Sequence, residues 1–292
     1  MAVSSEVANL RTVVRGVYDI QGLRIQMGNR IVAQFKSKLG QAPSKPEAEM
    51  DAEGKKILAD LRKRYRKITD GVSTFPRQAN FKGDELISSY TELCLLSQYV
   101  QLEEAEARHF KHLGQILKGF PIYTQWLQDI KGVGPAMAGV IVAEIDISRA
   151  EYPSSIWKYA GLDTGPDGKG RSRRKEHLVK VKYLNKDQQE AERDSITFNP
   201  FLKTKLVGVL AGSIIKAGEG PYSKIYYDYK HRLENRPDWA ETTKGHRHRA
   251  AARYMIKRLL ADLYIAWRDL EGLPVAPEYS EAKLGIQHRK AG

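Results

Sequence analysis

A loop rich in glycine and arginine, residues 165–185, carries side chains suited to binding anions. Gly165, Gly168 and Gly170 keep its backbone supple. A loop of this kind can follow a phosphate backbone, with binding that weakens steeply as salt rises. The alternative is a charged loop that is merely solvated. Seven basic residues face two acidic ones: Lys169, Arg171, Arg173, Arg174, Lys175, Lys180 and Lys182 against Asp167 and Glu176.

A second candidate anion site is the stretch Leu127–Val142, which we predict to fold as helix, tight turn and helix. Gly132 and Gly134 bracket one apolar residue, and Pro135 suits the first turn of the second helix. The unpaired N–H groups and the positive dipole end of that helix attract phosphate, and Lys131 adds a cation. The alternative is an ordinary helical turn in a core. The two glycines are a poor dinucleotide-binding fingerprint, because no strand precedes them and no third glycine follows at the required spacing.

The start of the last predicted helix is a third basic site. Lys244, Arg247 and Arg249 are suited to phosphate contacts there. His246 and His248 flank Arg247 and could ligate a metal, but no cysteine or acidic partner has suitable spacing. We therefore predict phosphate binding here and no metal site.

Two other groups have a chemical and a structural interpretation. Carboxylates can ligate Mg²⁺ or simply lie at the surface and cap turns, and this holds for Glu144, Asp146 and Asp163. Aromatic side chains beside cations can stack on nucleic-acid bases or pack in a core. The second group comprises Tyr222, Tyr226, Tyr227 and Tyr229, with Lys224 and Lys230.

The composition of the 292 residues limits the classes of protein to consider. Hydrophobic residues make up 41% of the chain, enough for a sizeable core, and the formal net charge of +13 attracts polyanions. The single cysteine, Cys94, cannot form an internal disulfide, which favours a reducing cytoplasm. The sequence contains no apolar stretch long enough to cross a membrane and no signal peptide, so we expect a cytoplasmic protein without a membrane partner.

Apolar residues at helical spacing predict a mainly α fold. Alternating Val179, Val181 and Tyr183 predict one short strand. Asp84 is expected to cap the third helix, and Asn199 with Pro200 to begin the fourth. The predicted helices cover residues 5–38, a segment from Pro46 through Ile68, and residues 85–118, 200–218, 221–236 and 247–271.

We predict three regions along the chain: a helical N-terminal region (1–120), a helical domain that contains the two helices and tight turn of Leu127–Val142 (121–280), and a basic tail (281–292). Leu86, Leu93 and Val100 are seven residues apart. This spacing fits either a dimer seam or a bundle within one chain. A homo-oligomer is therefore one of the expectations.

Four motifs in order resemble the C-terminal domain of the DEDD (Piv-type) insertion-sequence transposases. Residues 120–280 carry the resemblance, which is closest to short transposase chains that lack the nuclease half. The turn is then identified as a helix-hairpin-helix. The motifs are Lys131-Gly-Val-Gly-Pro-Ala-Met-Ala138, Ile156-Trp-Lys-Tyr-Ala-Gly-Leu162, Asn199-Pro-Phe-Leu-Lys-Thr-Lys205 and Gly245-His-Arg-His-Arg-Ala-Ala-Ala-Arg-Tyr-Met255.

The resemblance implies DNA strand exchange, with four acidic residues of an RNase H-like domain holding Mg²⁺ and a serine of the C-terminal domain attacking DNA. Residues 1–120 lack a run of strands that could carry the four acids. Where the family often has Ser-Gly, this chain has Thr164-Gly165. The nearest serine, Ser172, is our first candidate nucleophile and Thr164 the second, with Arg171, Arg173 and Arg174 stabilising phosphorane charge.

Three functions remain open at this point. The first is a transposase-like protein of a mobile element that binds double-stranded or branched DNA in transposition or recombination, with Mg²⁺ as cofactor if it is catalytic. The second is a non-catalytic nucleic-acid scaffold that has lost the nuclease half. The third is an RNA-binding protein, because a grip on the backbone does not distinguish the two polymers.

Overall fold

A computed structural model describes residues 5–70, 76–84, 86–165 and 167–277. These residues are mainly helical, as predicted, and the strands form one two-stranded sheet. The chain divides into two compact units, one spanning Thr12–His112 and the other formed by the remaining residues. The domain boundary at residue 120 remains a prediction, and the basic tail lies outside the described residues.

Three long helices contribute to the unit that spans Thr12–His112: α1 (Ser5–Lys38), α2 (Ala52–Asp70) and α3 (Tyr90–Leu117). The heptad residues Leu86 and Leu93 are buried in its core together with Phe35 and Leu58. This stripe is thus covered within one chain and does not form a free dimer seam. The three predicted helices exist, but two begin later than expected.

The late start of α3 has a local cause. Asp84 does not cap the helix, because its Oδ1 accepts the amides of Leu86 and Ile87 at 2.8 and 2.6 Å in a separate turn. Ser89 and Glu92 cap it instead: Ser89 Oγ accepts the Glu92 amide at 3.2 Å, and the Glu92 carboxylate accepts the Ser89 amide at 3.2 Å. This is the reciprocal capping box, and its cap residue lies five residues beyond the predicted cap Asp84.

The second unit is organised around α10 (Lys244–Leu270), the predicted last helix. Its apolar stripe is fully buried, with Met255, Leu259 and Leu263 at 0% exposure. The helices that pack in this unit include α4 (Pro121–Gln125), α5 (Pro135–Glu144), α6 (Pro153–Tyr159) and α9 (Pro221–Glu234).

Residues 200–216 form one continuous helical run of three parts: α7 (Pro200–Lys205), a π-helical turn (Leu206–Leu210) and α8 (Ala211–Lys216). Asn199 begins the run as predicted, since its Oδ1 accepts the Leu202 amide at 3.0 Å. A π turn adds one residue to a helix and so rotates the part of the helix beyond it.

The predicted strand is β1 (Val179–Leu184), which pairs antiparallel with β2 (Glu190–Ser195). The second strand was not predicted, because its sequence is charged and its residues are mostly exposed. The two strands are connected by a turn in which Asn185 Oδ1 accepts the amides of Asp187 and Gln189, both at 2.9 Å.

Candidate nucleic-acid interface

The glycine- and arginine-rich loop is closed by its own backbone. Thr164 bridges to Gly170, and the Gly165 amide donates to the Lys169 carbonyl at 2.7 Å. The Arg171 amide donates to the Asp163 carbonyl at 3.0 Å. The loop therefore holds a defined shape.

Arg171 lies at the base of this loop and is paired with Asp163. Its Nη2 is 2.7 Å from Asp163 Oδ2, with side-chain exposures of 16% and 24%. The hydrogen bond to Asp163 raises the pKa of Arg171. One carboxylate thus neutralises one guanidinium at a half-buried position.

Two further cations approach the same place. Lys203, in α7, donates from Nζ to the Arg171 carbonyl. Arg253, in α10, places Nη1 directly against Gly170, where any Cβ would overlap it. We call Arg171, Lys203, Arg253 and Asp163 the cation cluster.

The cation cluster has more positive than negative charge, since three cations face one carboxylate. Burial, and next the nearby Arg253, lower the pKa of Lys203 to about 8. Burial likewise lowers the pKa of Arg253, whose buried Nε has no hydrogen-bond partner in the described part of the chain. An anion placed here would relieve both effects.

A serine, a histidine and an aspartate of the loop form a hydrogen-bonded chain, which we call the serine array. Ser172 Oγ lies 3.1 Å from His177 Nδ1, and His177 Nε2 lies 3.0 Å from Asp167 Oδ1. The imidazole is buried, with 0% side-chain exposure, and it rests on Gly165. The candidate nucleophile therefore has a base beside it.

The remaining basic residues of the loop are exposed. Lys169, Arg173 and Lys175 face solvent. Arg174 is tied to the serine array, because its Nε donates to Ser172 Oγ at 3.1 Å and its Nη2 lies 3.3 Å from Asp167. Thr164, the second candidate nucleophile, is exposed at the rim of the loop.

The predicted turn has one covered side and one open side. Gly132 has a φ of +92°, and a Cβ there would lie 2.6 Å from the Cα of Ile214 in α8. Ser213 Oγ also donates to the Gly132 carbonyl at 2.8 Å. Gly134 and Pro135 are exposed at the beginning of α5. Helix α8 therefore covers Gly132 but leaves the first turn of α5 open.

Lys131 is exposed but is turned toward the segment between α8 and α9. Its Nζ donates to the Glu219 carbonyl at 3.1 Å. Within the described part of the chain, the amides of Gly134 and Ala136 donate to no backbone carbonyl. The open donors of the turn are thus backbone amides, with Lys131 to one side.

The third basic site is only partly free. Nη1 of Arg247 donates to the carbonyls of Trp239 and Thr242 at 3.2 and 2.7 Å, so this side chain stabilises the start of α10. Lys244 and Arg249 are exposed there.

The histidines and tyrosines that could have bound metal or bases make internal contacts. His248 Nδ1 is 2.7 Å from the Tyr226 hydroxyl, and the Tyr222 hydroxyl donates to Asp262 at 2.9 Å. Tyr229 stacks on Tyr254 with ring centroids 4.1 Å apart. These contacts favour the interpretation that the side chains pack within the protein.

The candidate Mg²⁺ ligands do not form a ligand group. Glu144 accepts from Asn199 at 2.6 Å, Asp146 accepts from Ser148 at 2.6 Å, and Asp163 pairs with Arg171. Within residues 5–70, 76–84, 86–165 and 167–277, no three His, Cys, Asp or Glu residues are grouped to hold a metal. The three carboxylates named from the sequence are therefore each held by a different protein partner.

The loop and the turn are connected by one helical run. Lys203 of α7 contacts the loop, while Ser213 and Ile214 of α8 contact Gly132. At 1.5 Å per residue, the two contact points are about 16 Å apart along the run. The two predicted sites therefore contact the same helical run, at its two ends, and remain separate sites.

Sequence reasoning missed Lys203, Arg253 and His177 as site residues. Lys203 and Arg253 lie within the third and fourth motifs of the resemblance, but neither motif indicates that two helices meet at the loop. His177 is five residues after Ser172, so a serine–histidine–aspartate pattern was present inside the loop. No spacing rule signals it, because the pairing depends on the loop's shape.

The family model of the IS116/IS110/IS902 transposases matches residues 124–203. This segment, about a quarter of the chain, contains the turn, the loop and Lys203, and it is similar to that transposase family. No curated protein and no solved structure matches the chain. Separately, none of the described helices combines the length and apolar character needed to cross a lipid bilayer.

Proposed function

We propose that this chain is a DNA-binding, transposase-like protein of a mobile element that acts in DNA transposition or recombination. Its substrate is the sugar-phosphate backbone of double-stranded or branched DNA. Within the transposases we assign it to the DEDD (Piv-type) group. The match to the IS116/IS110/IS902 transposases over residues 124–203 supports the transposase assignment.

The cation cluster is the observation that carries the DNA proposal. Three cations lie close together, and only Arg171 is paired with a carboxylate, so a bound anion would stabilise the other two. Lys203 and Arg253 are partly buried and come from two different helices, so the cluster is held by tertiary packing and is not a solvated charge run. A backbone phosphate has the charge and the acceptor oxygens to bind there.

The open turn supplies a second phosphate contact. The first turn of α5 presents unpaired N–H groups and the positive end of a ten-residue helix. The two sites are about 16 Å apart along the run, which allows them to contact different phosphates of one DNA molecule. Exposed Lys169, Arg173 and Lys175 extend the same basic surface. Lys244 and Arg249 form a third contact at α10.

Two variants with the same change in net charge test the DNA proposal. Lys203→Gln removes one charge from the cation cluster, and Lys111→Gln removes one from an exposed position of α3. We expect Lys203→Gln to lower affinity for duplex DNA and to reduce the slope of log Kd against log salt by about 1. Lys111→Gln should leave both unchanged. Equal effects of the two variants would refute a phosphate site at the cluster.

We further propose Ser172 as the nucleophile of strand transfer, with Thr164 as the second candidate. The experiment incubates the protein with DNA carrying candidate element ends, with and without Mg²⁺. A covalent protein–DNA adduct or nick that Ser172→Ala abolishes supports an enzyme. Retained product in Ser172→Ala and loss in Thr164→Val would move the assignment to Thr164.

The alternative is a non-catalytic scaffold. It is favoured by the described part of residues 1–120, which is helical and offers no group of acids that could hold Mg²⁺. A protein that binds DNA with the predicted salt slope but yields no adduct or nick under any condition is this scaffold. Competition between duplex DNA and RNA of the same sequence tests the polymer, and stronger binding of RNA would overturn the choice of DNA.

A further inference from the structure

The loop contains a histidine that the sequence analysis did not use, and it is the only histidine within hydrogen-bond distance of Ser172 among the described residues. We propose that His177 is the general base that makes Ser172 a nucleophile toward phosphorus, and that Asp167 is the positioning residue that fixes the imidazole. This inference rests on the proposed function for its DNA substrate but can be tested without DNA.

The protonation of His177 follows from its partners. The Ser172 backbone amide donates to Nδ1 at 3.0 Å, and an amide can only donate. Nδ1 therefore has no proton, and the imidazole proton lies on Nε2. Nε2 donates it to Asp167 Oδ1 at 3.0 Å. The neutral imidazole thus presents its basic nitrogen to Ser172.

Asp167 is held ionised as the acceptor of this bond. The Lys169 amide, donating to Oδ1 at 3.0 Å, and next His177 lower the pKa of the Asp167 carboxyl group. Arg174 Nη2 lies 3.3 Å from Oδ2. A carboxylate on Nε2 stabilises the imidazolium that forms when Nδ1 takes a proton.

The hydroxyl of Ser172 has only one acceptor available for its proton. The Arg174 amide and Nε donate to Oγ at 3.3 and 3.1 Å, which uses both lone pairs. The hydroxyl proton is then directed to His177 Nδ1 at 3.1 Å, where it shares the one lone pair with the Ser172 amide. The Arg174 side chain is 44% exposed, so it can move from Oγ to an incoming phosphate oxygen and free a lone pair.

The proposed step balances in atoms and charge. Ser172 Oγ attacks phosphorus and forms a P–O bond while its proton moves to His177 Nδ1. One P–O bond to a deoxyribose oxygen breaks on the side of phosphorus opposite Ser172. That oxygen takes a proton from water, and His177 returns its proton to water. The products are a phosphodiester linking Ser172 to DNA and a free hydroxyl on the departing strand. Arg174 and the nearby cations stabilise the negative charge of the phosphorane.

The test uses a fluorophosphonate probe on the full-length protein. Ser172 Oγ displaces fluoride from phosphorus, and the stable phosphonyl-serine is located by peptide mass spectrometry. We expect labelling at Ser172, none in Ser172→Ala, and an unchanged rate in Ser195→Ala, whose hydroxyl donates to the Ile196 carbonyl. Failure of the wild-type protein to label at Ser172 overturns the proposal.

Two variants separate a base from a structural histidine. His177→Asn keeps an oxygen that can accept the hydrogen bond of the Ser172 amide but cannot act as a base for the Ser172 hydroxyl. His177→Ala leaves a space for added imidazole. Both should lower the labelling rate by about 100-fold. Imidazole should restore labelling in His177→Ala alone, which a purely structural role would not produce. Asp167→Asn should lower the rate by about tenfold.

The outcomes remain distinct from those of the DNA proposal. Duplex DNA affinity is measured on the same variants, and we expect His177→Asn to retain it because the cation cluster is unchanged. Labelling without DNA binding supports the array and overturns the DNA proposal. DNA binding with wild-type labelling rates in His177→Asn overturns the array and leaves the DNA proposal standing. If His177→Ala fails to fold, the labelling rate of His177→Asn decides alone, and an unchanged rate overturns the array.

Discussion

The guanidinium of Arg253 occupies the space beside Gly170 that a side chain would need. Nη1 lies directly where a Cβ of residue 170 would point. A residue of α10 and a residue of the loop, 83 positions apart in sequence, therefore fit only because position 170 has no side chain. This contact brings the third cation to the cation cluster.

The first prediction concerns that contact. Gly170→Ala should displace Arg253 and weaken binding of duplex DNA, with the salt slope reduced by about 1 because one phosphate contact is lost. The free energy of unfolding should change by less than about 1 kcal/mol, because the group displaced is the end of a flexible side chain. Affinity is measured by fluorescence anisotropy and stability by urea denaturation. Gly168→Ala is an unsuitable control, since its φ of +72° strains any substitution. Arg253→Lys should reproduce part of the loss.

The second prediction uses the two glycines of the turn as a matched pair. Gly132→Ala places a Cβ against the Ile214 backbone at a φ of +92°, so we expect a loss of at least about 2 kcal/mol in the free energy of unfolding. Gly134 has a φ of −88° and open space around it. Gly134→Ala should therefore change stability by less than about 0.5 kcal/mol. Similar losses in both variants would contradict the packing of α8 on the turn.

The third prediction concerns pH and Lys203. Because the pKa of this lysine is about 8, its ammonium loses its proton as pH rises through that value. DNA affinity of the wild-type protein should fall between about pH 7 and pH 9 at constant ionic strength. Lys203→Arg keeps its charge over this range and should give a flatter profile. Identical profiles of the two proteins would contradict the assignment.

Stability has the opposite dependence on pH. In the unfolded chain Lys203 titrates near its ordinary value of 10.5, so between about pH 8 and 10.5 the unfolded state holds more protons. The contribution of Lys203 to folding therefore rises with pH across this window. The effect is small because the side chain is partly exposed and solvent screens its charge. Lys203→Met should remove it in denaturation curves compared at both ends of the window.

The fourth prediction concerns the start of α3. Buried Glu92 accepts the amides of Ser88 and Ser89 at 2.8 and 3.2 Å and pairs with Lys38 at 3.3 Å. Glu92→Ala leaves these donors without a partner and should lower the free energy of unfolding by about 2–3 kcal/mol. Ser89→Ala removes only one cap bond and should cost about 1 kcal/mol. Denaturant midpoints of the two variants test this order.

The sequence predicts the elements well where a periodic apolar face and a strong end signal occur together. Asn199, Pro200 and Gly218 delimit the run 200–216 within two residues. Asp84 is misleading because an aspartate can accept amides in a short turn as well as at a helix start. The actual start is marked by Ser89 and Glu92, whose Ser-x-x-Glu spacing is that of a capping box and was not used in the sequence analysis.

The candidate site is harder to predict from the sequence than the helices are. The loop and turn can be identified because their cations and glycines are close together in the chain. Lys203 and Arg253 depend on helices α7 and α10 meeting at the loop, and this is a property of tertiary packing. His177 depends on a backbone shape that brings a residue five positions away back to Ser172.

The π-helical turn at Leu206–Leu210 fixes how the two ends of its run are oriented about the helix axis. Each residue of a helix advances by about 100°. Adding or deleting a single residue within Leu206–Leu210 would therefore rotate the face of α8 that contacts Gly132 by that angle relative to the face of α7 that contacts Arg171. The proposed phosphate site at the turn can thus be rotated relative to the proposed site at the cation cluster by a change of chain length alone, without substituting a side chain of either site.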